Sequence, residues 1–218
     1  MTGLTVVASA SVGGLPSRVS GEVRDAVDRA SLAYSSGDRQ QALALLEGSL
    51  YPDGITLAVD ESTVRHGFQE TAVKQALDVW GKELDGDFPV TLVDDPAKAD
   101  VVLTFVDKID DREAESLGII KLKKNYSWNH STHQVKYRGT IRIVRSAPGG
   151  SLNRSEVRSV AMHEIGHLLG LDDSSHVGAL MGPMERGFPA SRPSDGEIAD
   201  VKALRQILRT QISQVNER

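Results

Sequence analysis

Residues 163–173 read HEIGHLLGLDD, in which His163 and His167 stand four positions apart. On a helix that spacing is one turn, so both imidazoles face the same way and can reach one cation. Glu164 is rotated away from the pair. It cannot easily join as a ligand, but it can sit beside a water activated by the metal and accept its proton. Gly170 falls where a helix ends in a left-handed residue, which turns the chain and brings the next residues back towards the metal. A carboxylate such as Asp173 can be the third ligand, because a carboxylate binds zinc at about the same distance as imidazole and two histidines with one carboxylate form a catalytic set. Its negative charge would make a bound water a slightly weaker acid than three neutral imidazoles would. His176 is the rival if the loop runs wider, Asp172 is a weaker one, and a site lacking a third protein ligand is the remaining alternative. The five residues HEIGH alone can also decorate a helix surface with no metal, so the sequence around them decides.

These side chains need a helix and a scaffold. Asn153 with Glu156 three residues later marks a capped start, and the helix should run to about Leu169 with Val157, Ala161, Ile165 and Leu168 facing the core. Upstream, residues 21–50 carry helical spacing at Val23, Ala26, Val27, Ala30 and Ala33, a break at SSGD, then Ala42, Leu45 and Leu46. This predicts two short antiparallel helices, loosely like one tetratricopeptide unit. A single unit cannot bury its own face, so the hairpin is expected to pack on the main domain. After YPDG, ITLAVD reads as a strand, HGFQETAVKQALDVWGKEL as an amphipathic helix, and FPVTLV, VVLTFVDK and YRGTIRIVR as strands. Ser194 and Glu197 are spaced as a second capping box, opening a helix from Asp195 to about Ile212. The division expected is an N-terminal segment, residues 1–50, and a core domain, residues 51–218.

The run HEIGHLLGLDDSS followed by ALMGP at 179–183 resembles the metzincins, most of all their matrixin branch, through the methionine turn without a gap. AVKQALDVW, DDPAKADVVLTFV and GTIRIV resemble that family's first helix and strands, so the resemblance spans residues 51–213. It implies an α+β fold: a twisted mixed sheet with two long helices, a cleft above the zinc helix, and a small C-terminal lobe ending in a helix. It also implies bound Zn2+, with Met181 as the floor of the metal site through packing alone. An ordinary core methionine would make nearly the same contacts. Two departures stand out. Asp173 occupies the place of the usual third histidine, and Glu185 occupies that of a pocket-wall tyrosine, leaving Met184 and Phe188 as candidate pocket residues.

By this resemblance the chain is a zinc-dependent endopeptidase with Glu164 as general base, acting on a peptide or protein laid along the strand near Thr140 to Val144 by edge pairing. The alternatives are a catalytically silent relative that binds peptides or a partner, a module dominated by the N-terminal helices, and a zinc hydrolase acting on a non-peptide bond. If residues 1–50 covered the cleft they would form an inhibiting prosegment, without the cysteine that matrixin prosegments use. The resemblance also implies a secreted or cell-envelope location, although the N-terminus lacks the basic start and long apolar centre of a signal peptide.

Composition is compatible with all of this. The 218 residues, 39% of them hydrophobic, suffice for a sizeable core, and no stretch is long and apolar enough for a membrane span. A net charge of −5 argues against a nucleic-acid binder, and the absence of cysteine excludes disulfides and thiolate ligands. A monomer is expected. Between Ser116 and Ser155 there is no acidic residue, and Lys121, Lys123, Lys124, Lys136, Arg138 and Arg142 accumulate there. That strip reads as a solvated β-hairpin or, more sharply, as a rim that attracts acidic substrate segments. His66, His130 and His133 read as surface or core residues, with NHSTH (129–133) as a candidate second metal site. Asn125, Asn129 and Asn153 are glycosylation matches that matter only in a secretory host.

Overall fold

The computed structural model describes residues 14–109, 116–184 and 186–217. Helices α1 (Gly21–Ser35) and α2 (Arg39–Leu50) form the N-terminal hairpin. The Ser20 side chain caps the first, Asp38 caps the second, and Gly37 at φ +86° makes the turn between them. The buried face of α1 is Val23, Ala26, Val27, Ala30 and Ala33, as its spacing predicts. In α2, Ala42 to Leu46 are all buried, because this helix is enclosed on several sides rather than lying on a surface.

The main sheet contains β1 (Ile55–Val59), β2 (Val90–Leu92), β3 (Val101–Val106), β4 (Gly118–Trp128) and β5 (His133–Val144) in the order β2-β1-β3-β5-β4. All pairings are parallel except β4 with β5. Helix α3 (Phe68–Glu83) lies between β1 and β2 in sequence and packs on α4 (Arg154–Leu168), the helix bearing the histidines. Trp80 of α3 is fully buried and donates its indole N–H to the Met162 carbonyl at 2.9 Å, which fixes the two helices in register. The ribbon β6 (Ser146–Ala147) and β7 (Gly150–Ser151) leads into α4. The last helix, α5 (Asp195–Asn216), carries the predicted capping box and runs four residues past the expected end. No helix among the described residues is long and apolar enough to cross a membrane.

One expectation is corrected. Residues 140–144 of β5 are hydrogen-bonded to β3 on one side and pair with β4 on the other, so Thr140 to Val144 have no edge to offer a peptide. The edge of the sheet on this side belongs to β4, whose alternating lysines read in the sequence as part of a solvated hairpin or a basic rim. On the β4–β5 ribbon Lys121, Lys123, Lys136 and Arg138 face solvent, with Lys123 directly opposite Arg138. Lys124 points the other way. Its side chain is buried and pairs with Glu22 of α1 at 2.8 Å.

The hairpin α1–α2 shares a second apolar cluster with Leu204, Leu208 and Val215 of α5 and with Tyr126 of β4. A β-carbon on Gly48 would collide with the Tyr126 ring, so the absent side chain lets α2 seat against the ribbon. The chain entering α1 runs beside the chain leaving α4: Val19 and Leu171 form an antiparallel bridge.

Candidate metal centre

Helix α4 begins with a complete capping box. The Asn153 side chain accepts from the Glu156 N–H at 3.1 Å, and Glu156 accepts from the Asn153 N–H at 2.9 Å. The helix ends at Leu168, and Gly170 follows at φ +91°. A β-carbon there would press on Leu204 of α5 and Val23 of α1, so Gly170 is required by both its conformation and its neighbours.

His163 and His167 are each half-fixed by a backbone carbonyl. Nδ1 of His163 lies 2.8 Å from the Leu180 oxygen, and Nδ1 of His167 lies 3.0 Å from the Leu171 oxygen. A carbonyl only accepts, so both Nδ1 atoms carry the hydrogen and both Nε2 atoms present lone pairs in the neutral ring. Those two Nε2 atoms stand 3.1 Å apart, and Asp173 Oδ1 lies 3.2 Å from one and 3.5 Å from the other. Three acceptors therefore converge on one point. Among the described residues, this is the group whose atoms are placed to hold a metal ion.

The electrostatics follow from that convergence. Burial alone would push both imidazoles down, but hydrogen bonding to Asp173 and the nearby Glu164 charge outweigh it and hold both above the ordinary histidine value. The same hydrogen bonds, from His163 first and then His167, keep the Asp173 carboxyl well below the usual range.

Glu164 is buried and faces the same cavity, of about 520 Å3, as His163, Asp173, Leu180 and Met184. It packs so closely on β4 that a β-carbon at Gly118 would come within 2.5 Å of its Oε1. Met181 is buried beneath α4 against Gly166, and its N–H donates to Glu197 Oε1 of the second capping box at 2.8 Å. The segment beyond it is fixed by Arg186, which reaches Glu156 at 3.0 Å and the carbonyls of Pro148 and Gly150 at 3.1 Å each. Neither Arg186 nor the second role of Glu197 stood out in the sequence, because both act across more than fifteen residues. Only the capping-box spacing hinted at Glu197.

The model of the matrixin family, peptidase M10, matches residues 52–208 of this chain. The chain belongs to the matrixin family. No curated protein matches it.

In this matrixin the structure sorts the sequence candidates. His163, His167 and Asp173 come together, with Glu164 beside them. His176 is exposed, and its Nδ1 engages the Ser174 hydroxyl at 3.1 Å. Asp172 serves the loop, accepting the Asp173 N–H at 3.0 Å. His133 has both ring nitrogens engaged by α2, through Gln40 and Glu47, which takes it out of a second metal site at NHSTH. His66 stacks on Phe68. Met184 and Phe188 both line the cavity, with Phe188 81% exposed at its rim. Glu185 lies outside the described residues.

Proposed function

We propose that the protein is a zinc-dependent endopeptidase, with His163, His167 and Asp173 as ligands and Glu164 as general base. The observation that carries this reading is the convergence of three lone-pair acceptors beside a buried carboxylate. Their separations of 3.1, 3.2 and 3.5 Å match the edge of a tetrahedron, about 3.3 Å, around an ion bonded at about 2.0–2.1 Å. Zinc held there supplies Lewis acidity, polarising the scissile carbonyl and bringing the pKa of a water to about 7.

The rest is done by the chain's own groups. The outer edge of β4 near Gly118 to Ile120 offers backbone N–H and C=O to an extended peptide, which sets the peptide's carbonyl over the histidines. Glu164, fixed against Gly118 at that edge, takes a proton from the attacking water and returns it to the departing amine. The cavity below accepts the side chain following the cut bond, between Val160 and Met184. Low exposure of Glu164 excludes bulk water from the transfer.

The test is bound zinc per chain together with cleavage of a mixed peptide library, for the natural protein and Glu164→Gln in parallel. Zinc in both with cleavage only in the natural protein is expected, with a loss of at least 100-fold in the variant. Cleavage surviving the substitution would remove Glu164 from the role, and zinc in neither protein would overturn the ligand set.

A further inference from the structure

Asp173 stands at the tip of a short loop whose two flanks are both tied down. On one side the Ser174 N–H donates to the Met181 carbonyl at 2.7 Å. On the other side the partner is the N-terminal segment. Ser20 N–H donates to the Gly170 carbonyl at 2.8 Å, and Asp172 N–H donates to the Arg18 carbonyl at 2.8 Å, flanking the Val19–Leu171 bridge. Leu171 is also the residue whose carbonyl orients His167. One stretch of backbone, residues 18–20, therefore borders both the third candidate ligand and the carbonyl that sets a histidine tautomer.

The segment is itself anchored. Arg18 pairs with Asp200 of α5 at 2.7 Å and lies over Gly196, where any side chain would displace it. Val19 is buried in the cluster shared with α5. Arg24, one turn into α1, hydrogen-bonds the carbonyls of Pro16 and Val19 and so folds the segment back on the helix it precedes. Residues 16–20 are absent from the lining of the cavity between Val160 and Met184, whereas Ser20 lines the adjoining cavity that His163, Glu164, His167 and Asp173 share on the β4 side.

We infer that residues 16–20 are a clamp that positions Asp173 and His167 through the backbone of residues 170–172. This rests on the proposed metal site: loss of the segment loosens that site. Arg18 and Ser20 are positioning residues. Their contribution passes through the backbone of 170–172, as supporting groups commonly alter metal affinity by about 10–100-fold without touching the ion.

The experiment uses the full chain with zinc and with cobalt as a spectroscopic probe. Ser20 has φ −60°, which proline adopts without strain, so Ser20→Pro removes the N–H that binds Gly170, while Ser20→Ala removes only the side-chain cap. Affinities from chelator competition should fall at least tenfold in Ser20→Pro relative to Ser20→Ala, with a changed visible spectrum of the cobalt form and melting temperatures of the two metal-free variants alike. Arg18→Ala should show the same loss of affinity, and Arg18→Lys should restore it in part by keeping the Asp200 pair. Affinity and spectrum within threefold of the natural protein in both Ser20→Pro and Arg18→Ala would overturn the clamp. Failure of the endopeptidase reading would appear elsewhere, as absent peptide cleavage by the zinc-loaded natural protein, and would leave the binding comparison intact.

Discussion

Met181 lies with its sulfur directly against Gly166, so close that a β-carbon on residue 166 would overlap it. Two effects of Gly166→Ala compete. Removing a helical glycine stabilises by about 1 kcal/mol, whereas overpacking a closed core costs about 1–3 kcal/mol. Trp80 stands 3.6 Å from the same point and Met181 is 1% exposed, so the sulfur has nowhere to go and overpacking wins. Gly166→Ala should destabilise the metal-free protein by about 1 kcal/mol in urea unfolding. Combining it with Met181→Ala should cost less than the sum of the two single changes. A stabilised Gly166→Ala would mean that the methionine shifts freely and that the turn is not a rigid floor.

Glu197 couples the methionine turn to the last helix. One oxygen of this buried carboxylate accepts the Met181 N–H, and the other accepts the Ser194 N–H and hydroxyl at 2.7 Å each. Glu197→Ala leaves the buried Met181 N–H unpaired and also removes half of the capping box, and should cost about 2–3 kcal/mol, against about 1 kcal/mol for Ser194→Ala, which removes a cap alone. Denaturation midpoints of the two variants measured side by side decide it. Equal losses would show that the tie to Met181 contributes nothing.

Asp173 and His176 were rivals in the sequence, and the structure separates them by orientation. Asp173 Oδ1 lies within 3.5 Å of both Nε2 atoms, while the His176 ring turns to Ser174. Asp173→Ala should weaken zinc binding by at least 100-fold, and His176→Ala should leave it within about threefold, by competition with a chelator. The reverse order would move the third ligand to His176.

The sequence made the local structure legible and the long-range ties illegible, for a physical reason. Caps act over three residues, so Asn153 with Glu156 and Ser194 with Glu197 marked two helix starts correctly, and the four-residue spacing of His163 and His167 placed both on one face. The partners of those histidines lie seventeen and four residues on, at carbonyls that any residue carries, so no side-chain pattern announces them. The same holds for the Val19–Leu171 bridge. YRGTIRIVR forms the strand its alternation predicts, but its place inside the sheet depends on β4, which the basic strip marks as part of a hairpin without marking it as the sheet edge. Hence the peptide was expected on the wrong strand.

Asp87 supplies the acid sensitivity of the packing between α5 and the rest of the molecule. It receives Arg205 at 2.8 Å and also Arg209, and Arg205 is otherwise buried with its second contact on the Leu50 carbonyl. Burial opposes ionisation of Asp87, but hydrogen bonds from Arg209 and Arg205 prevail and bring its carboxyl down to about 2. A depressed carboxylate contributes stability that is complete above the unfolded value of about 4 and is lost as pH falls towards 2. With Asp87 partly open to solvent, that contribution is about 1 kcal/mol after screening. Asp87→Asn should therefore lower stability by about that amount at pH 7 and flatten the stability profile of the metal-free protein between pH 4 and 2, relative to the natural chain. Profiles that stay parallel through this window would show that the arginines gain as much from water as from Asp87.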